Sequence, residues 1–390
     1  MSIQLFKPYV SDAAIAAVEG VLRSGWIGLG PKTAEFESRF AEYVGARYAV
    51  GVNSATSALH LATIVSGISE GDEVLTTALT FVSTNHVILY QKAKPVFIDV
   101  DDRTLNIDLS KAEKMISPRT RAIMAVHFAG NPVNLDELYD FAARHNLAVI
   151  EDAAHACGAK FKGRRIGATG LTCFSFHAVK NLPMGDGGMV TTNDKAIYEK
   201  LMSLRWMGID QSTYDRSAGK YRWEYSVESV GYKYHMNDIA AAIGLEHIKQ
   251  LDEWNARRQQ IVAIYRSELA DLVPEKLRFA EPAPDAQSAN HLCVIRVANR
   301  DRMVDRLKES GISVGVHYKP NHHYPMYSDA RKTDLSVTER AYSELISLPL
   351  HLGLTDHDAR TVCRTIRTLL GEESTLRCVT SREAVEAAVV

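Results

Sequence analysis

The strongest constraint on this chain is an alternation of short apolar runs and helical periods between residues 48 and 192. Runs at 48–52, 73–77, 94–99, 120–126, 147–150, 172–176 and 188–192 read as strands. Helical segments at 57–66, 83–91, 110–115 and 135–144 separate most of them. Parallel neighbours need crossover connections, and helical crossovers cover the sheet they join. The pattern therefore predicts an α/β fold, a mainly parallel, mixed sheet with helices on both faces. The gap between Phe176 and Gly188 is too short for a crossover helix, so an antiparallel neighbour is expected there.

Two helices, at 11–24 and 33–44, precede the alternation, joined by a glycine-punctuated loop that carries Trp26. After it, residues 205–229 are polar, aromatic and without period, a kind of stretch that is usually functional or mobile. An apolar helix at 237–250 leads into a long charged helix at 251–272, a natural hinge. The expected division is a large domain over 1–250 and a smaller α+β C-terminal domain over 251–390. In the smaller one, strands at 289–297 and 313–316 flank a helix at 300–310, and the tail after Glu372 is expected to be loosely attached. A chain of 390 residues is long enough to give both parts a core.

Charge and cysteine usage remove several function classes. A formal net charge of −2 offers no electrostatic footprint for nucleic acid or an anionic membrane. No apolar run approaches the ~18–20 residues of a spanning helix. Residues 1–10 lack the basic start and apolar core of a secretory signal. Five scattered cysteines form no CxxC pair and no even framework, so reduced thiols and a cytoplasmic location are expected.

Ligands of open α/β sheets collect at the carboxyl ends of inner strands. The run at 147–150 ends there in Glu151 and Asp152, with His155 following. Adjacent strand residues face opposite ways, so only one of the two acids can point at a ligand. The run at 172–176 leads through His177 to Lys180, then through Gly185, Gly187 and Gly188 into the next strand. A lysine desolvated at such a turn becomes a usable nucleophile or Schiff-base partner. Residues 53–57, N-S-A-T-S, join a strand to a helix, and amides at a helix start form an anion site. The hydroxyls of Thr56, Ser57 and Ser175 can add to it. Pyridoxal phosphate asks a protein for a lysine, an acid beside its ring nitrogen and a phosphate cradle. Lys180, Asp152 and residues 53–57 can supply the three.

An ordered set of motifs extends this. It comprises G-W-I-G-L-G at 25–30, N-S-A-T-S-A-L-H-L-A at 53–62, T-F-V-S-T at 80–84 and E-D-A-A-H at 151–155. F-S-F-H-A-V-K-N at 174–181, G-Y-K-Y-H-M-N-D at 231–238, H-Y-K-P at 317–320 and S-L-P-L-H at 347–351 complete it. With these motifs in order from about Phe6 to about Leu370, the chain resembles the DegT/DnrJ/EryC1/StrS nucleotide-sugar aminotransferases, fold type I pyridoxal-phosphate enzymes.

The resemblance implies a role for each matching position. Lys180 bonds the cofactor aldehyde and then moves the substrate proton, while Asp152 pairs with the pyridine nitrogen. His155 sits near the phenolic oxygen, and Phe81 stacks over the ring, although a core phenylalanine is the alternative reading for it. Ser175 and the amides near Ala55 and Thr56 take the phosphate. Lys233 and His235 correspond to positions that reach the phosphate across a homodimer interface, so that active sites are shared between chains. His317 and Tyr318 face the sugar. Trp26 and the stretch containing Arg205, Arg216, Lys220 and Arg222 are further substrate candidates, guanidinium groups being suited to a diphosphate.

His177 is expected to shape the turn. Dehydratase relatives carry histidine where this chain has Lys180, which favours transamination. No cysteine or carboxylate joins His317, His322 and His323 at zinc-like spacing, so no metal is expected.

The expected activity is transfer of an amino group from an amino acid, L-glutamate favoured, to a keto sugar. A nucleotide-linked 4-keto sugar is favoured, for cell-surface polysaccharide, lipopolysaccharide or antibiotic-sugar biosynthesis. The alternatives are a pyridoxal-phosphate sugar dehydratase, an aminotransferase for a sugar not linked to nucleotide, and a non-catalytic regulatory or sugar-binding homologue.

Overall fold

A computed structural model describes residues 2–209, 225–227 and 229–387, with side chains to Gly371. Seven strands in chain order form the main sheet: β1 (Tyr48–Val52), β2 (Glu73–Thr77), β3 (Lys94–Ile98), β4 (Thr120–Val126), β5 (Ala148–Asp152), β6 (Leu171–Ser175) and β7 (Gly188–Thr192). Their spatial order is β1-β7-β6-β5-β4-β2-β3, and the short strand Arg331–Lys332 adds an eighth member beside β3. From β6 through β3 the neighbours are parallel. β7 runs antiparallel to both β6 and β1, as the missing crossover requires.

Both faces are covered. Val74, Ala122, Met124 and Ile150 lie in one buried cluster with the apolar residues of the helix Ala55–Val65. The alternate residues Leu75, Ile123 and Ala125 lie in another, with Leu138 and Phe141 of the 135–145 helix. Side chains that alternate sides along a strand explain why one run feeds two cores. A third cluster joins Phe174, Phe176 and Met189 to Phe36 and Phe40 of the 31–44 helix. That helix is capped from far away: the Asp238 carboxylate accepts the amides of Gly30, Lys32 and Thr33. An acid among the free amides of a helix start is favoured by their unmet donors and by the helix dipole.

A separate three-stranded antiparallel sheet is built from Leu277–Phe279, Cys293–Val297 and Leu345–Leu348, with the middle segment in the centre. It packs with the long helix Leu251–Glu268 and with Ile3, whose residue bridges Ile312. Residues 313–316 were expected as a strand, but Gly315 makes only an isolated bridge to Ser347. The sheet is already completed by the 277–279 and 345–348 segments. The strand expected from residue 289 begins at Cys293, because residues 289–292 are bonded elsewhere: Ala289 donates to Gly130, and His291 and Leu292 donate to Ala129. Beyond residue 372 the backbone of the last helix, Asp356–Ala387, continues. Among the described residues no helix is long and apolar enough to cross a membrane.

Candidate active site

β5 extends two residues further than its apolar run, because Glu151 and Asp152 both stay in the parallel ladder, opposite Ala125 and Val126. They therefore face opposite sides. Glu151 turns away and is consumed by structure, accepting Tyr139 Oη at 2.6 Å and His127 Nε2 at 3.0 Å. Asp152 lines a cavity of about 300 Å³. Its Oδ2 accepts Thr84 Oγ1 at 2.7 Å, and its Oδ1 accepts the Ala154 amide at 3.1 Å. Burial raises the Asp152 carboxyl above the usual carboxylate range, opposed by those hydrogen bonds and by Lys180.

Lys180 lines the same cavity from the turn that follows the neighbouring strand, β6. A tight turn after β6 holds it: its amide donates to His177 O at 2.8 Å, and the Met184 amide returns to Phe176 O at 2.9 Å. Gly185 completes the return with φ of 86°, in the left-handed region that glycine tolerates. Burial lowers the ammonium to about 8, with Asp152 pulling the other way. At pH 7 about one in ten amines with that value is neutral, a far larger share than for an ordinary surface lysine.

The third part is the start of the helix Ala55–Val65. Ser54 caps it, its Oγ accepting the Ser57 amide, and Ala58 makes the first intrahelical bond to Ser54 O. The amides of Ala55 and Thr56 precede any intrahelical acceptor and stand at the cavity wall. β7 passes so close to this turn that a Cβ on Gly188 would lie 2.4 Å from Ser54 O. Glycine there is a steric requirement of the cradle. Ser175 also lines the cavity, whereas the Ser57 hydroxyl is spent on Asn53 Oδ1 at 2.6 Å.

Around the mouth stand Phe81, His155, His317 and Tyr318. Phe81 is 54% exposed, so the alternative of a core phenylalanine is removed. Its ring lies 5.7 Å from that of Tyr318. Tyr318 Oη is 3.1 Å from His155 Nε2, and among the described residues His155 Nδ1 is buried without a partner. Burial holds the His155 imidazole well below its ordinary value and that of His317 to about 4, so both are neutral. An orphaned imidazole nitrogen, a buried acid, a near-neutral lysine and open helix amides in one cavity fit pyridoxal phosphate part by part.

Other expected site residues lie elsewhere. Trp26 does not line the cavity, and its indole N–H donates to Leu29 O at 3.0 Å. Lys233 and His235 are also off the lining; the lysine lies over the Trp206 ring and His235 Nδ1 meets Met236 O. Arg216, Lys220 and Arg222 fall outside the described residues.

Arg205 requires a correction. It is 3% exposed, ion-paired with Glu37, and donates to Gly51 O at 2.8 Å, so its charge is committed within the core. Arg205→Met should lower stability by about 3–5 kcal/mol, because Glu37 is left as a buried charge without its cation. Thermal unfolding would show the loss with the sugar KM unchanged. A raised KM at unchanged Tm would restore the substrate role.

Sequence reading also missed contacts. Thr84, which orients Asp152, stands inside T-F-V-S-T, but only the aromatic of that motif was assigned a role. His291, at 3.4 Å from Lys180 Nζ, belongs to no motif singled out above. A carboxylate absent from the local spacing does join the histidines: Glu339 accepts both His322 and His323, the three ligand atoms lying within 4.8 Å of one another. The two Nε2 atoms share Glu339 Oε1, while among the described residues His322 Nδ1 is buried without a partner.

A PLP-dependent transferase of fold type I is what this sheet and this cavity define. Residues 8–367 match the DegT/DnrJ/EryC1/StrS aminotransferase family, and the chain belongs to that family. It is 39% identical over 377 residues to an uncharacterized protein of Methanocaldococcus jannaschii, covering 94% of this chain and 97% of the relative. The structure of sugar aminotransferase CalS13 from Micromonospora echinospora matches with a TM-score of 0.87 at 34% identity, covering 94% of this chain and 99% of that one. Spr1654 from Streptococcus pneumoniae in its PMP form matches at 0.88 with 30% identity, over 97% of this chain and 100% of that one, and a PLP form matches too. The chain is a sugar aminotransferase and its cofactor is pyridoxal 5′-phosphate.

Proposed function

We propose that this enzyme moves the amino group of L-glutamate to a nucleotide-linked keto sugar, with a 4-keto sugar as the favoured acceptor. The observation that carries the site assignment is the convergence of Lys180, Asp152 and the helix start at Ala55 and Thr56 on one cavity whose mouth bears Phe81, His317 and Tyr318. When bound, the cofactor supplies an electron sink for the carbanion left at the donor's α-carbon. Asp152 holds the ring nitrogen and, as a carboxylate, keeps it protonated. The amides of Ala55 and Thr56, with the Ser175 hydroxyl, hold the phosphate. Lys180 takes the proton from the donor's α-carbon, a task for an amine whose pKa lies near the working pH. His155 meets the phenolic oxygen, and Phe81 covers a face of the ring. His317 and Tyr318 orient the sugar.

The finer parts rest on the sequence as well. Arg216, Lys220 and Arg222 are assigned to the diphosphate from their charge and the motif order. Lys233 is exposed, and its segment runs beside the cradle, Tyr234 O accepting the Asn53 amide at 2.7 Å. We assign Lys233 and His235 to the partner subunit's cofactor in a homodimer of shared sites, within the cytoplasm. The division into lobes near residue 251 and a role in surface-polysaccharide or antibiotic-sugar assembly belong to the same proposal.

The test is spectroscopic. The yellow holoenzyme should bleach with L-glutamate, releasing 2-oxoglutarate, and recolour with a nucleotide-linked 4-keto sugar. Recolouring only by an unlinked keto sugar would overturn the nucleotide assignment, and no bleaching by glutamate would overturn the donor.

A further inference from the structure

The hydrogen bonds that end at Lys180 have a forced direction. Cys157 O can only accept, so the Asn255 group 3.0 Å from it is the amide Nδ2. Asn255 Oδ1 therefore faces Asn181, and accepts Asn181 Nδ2 at 2.8 Å. That same Nδ2 donates to Ala289 O at 2.7 Å, another group that can only accept. Both amide hydrogens of Asn181 are thus used, and it offers His291 nothing but Oδ1, 3.1 Å from His291 Nδ1. The proton of His291 must sit on Nδ1. Its Nε2 is a lone pair, and Lys180 is the donor in the 3.4 Å contact between them.

The imidazole has no freedom to change this. His291 is 2% exposed, stacked on Phe6 at an interplanar angle of 7°, and packed 4.4 Å from the His155 ring. Burial, Lys180, His155, Arg258 and His317 all oppose its protonation, and it is held well below its ordinary value. A neutral acceptor with a fixed tautomer, buried against a reactive amine, is more specific than packing needs.

We propose that His291 is a positioning residue: it receives one N–H of Lys180 whenever that amine is not bonded to the cofactor, leaving the amine's lone pair free for the proton it must take. This rests on Lys180 being the base, as proposed above. His291 itself is not required to gain or lose a proton. Asn181 and Asn255 act at a further remove, by fixing which nitrogen of His291 is bare.

The test reads the amine directly. Competitive acetylation of the cofactor-free protein across pH, followed by peptide mass spectrometry, gives the labelling midpoint of Lys180. In the wild type it should lie at about 8. An ammonium donates a stronger hydrogen bond than an amine, so loss of the acceptor disfavours the charged form. In His291→Phe the midpoint should fall, and the glutamate half-reaction should slow by about 10²-fold with little change in KM.

His291→Gln, which keeps an acceptor, should recover much of both. Should His291→Phe not fold, Asn181→Leu keeps the imidazole but frees its tautomer, and should move both readouts in the same direction by less. A folded His291→Phe, or in its place Asn181→Leu, with wild-type midpoint and turnover would overturn the proposal. Activity surviving in Lys180→Ala would instead overturn the reading beneath it.

Discussion

Lys180→Ala should lose transamination by roughly 10⁴-fold or more, at unchanged fold. On the assignment proposed for it, the residue combines two tasks in one buried amine. His155, His291 and His317 offer imidazoles nearby, yet burial makes each a weak base, and the one bare nitrogen of His291 faces Lys180 itself. The pH dependence follows with a definite sign. Only the neutral amine attacks the aldehyde, so cofactor uptake by the apoenzyme should rise with pH and reach half its plateau at about 8, not 10.5.

The same depression bears on stability. The unfolded chain keeps this proton up to about 10.5, so the apoenzyme should gain stability as pH rises from about 8 toward 10.5. Stopped-flow absorbance and thermal scans check the two halves separately. In Lys180→Ala the uptake signal of a covalent bond should be absent, and the stability gradient in that window should flatten.

The second large effect belongs to Asp152→Asn, which should cut kcat by about 10³-fold while leaving Tm close to or above the wild type. The amide is nearly the same shape, and Thr84 can turn its hydroxyl to Thr80, 2.8 Å away. The charge, however, is gone, and with it the group assigned to keep the pyridine nitrogen protonated. Burial works against that charge in the folded protein, as the raised carboxyl indicates, so its removal relieves a cost. A drop in activity with retained stability separates a functional carboxylate from a structural one. Glu151, one residue earlier, supports Tyr139 and His127 and belongs to the structural kind.

Much of this was legible because it is local. Strand alternation showed that only one of Glu151 and Asp152 can face a ligand, the motif resemblance picked Asp152, and the strand-to-helix junction N-S-A-T-S at 53–57 marked the cradle. The lack of room for a crossover between Phe176 and Gly188 gave the antiparallel β7. What stayed hidden is long-range. Thr84 reaches Asp152 across 68 residues, and His291 reaches Lys180 across 111. Arg205 read as a free cation in a polar stretch because its partner, Glu37, lies 168 residues earlier. The Leu277–Phe279 and Leu345–Leu348 strands are too short for alternation to declare them, so their place in the sheet went to 313–316. Periodicity reports which way a side chain faces, but not what it meets there.

Borohydride reduction of the holoenzyme, followed by digestion and mass mapping, bears most directly on the pairing of Lys180 with the cofactor at the Asp152 cavity. The expected result is a single phosphopyridoxyl adduct on the peptide carrying Lys180, lost in Lys180→Ala and retained in Asp152→Asn. An adduct on a different lysine, or none in a protein that still turns over, would contradict it.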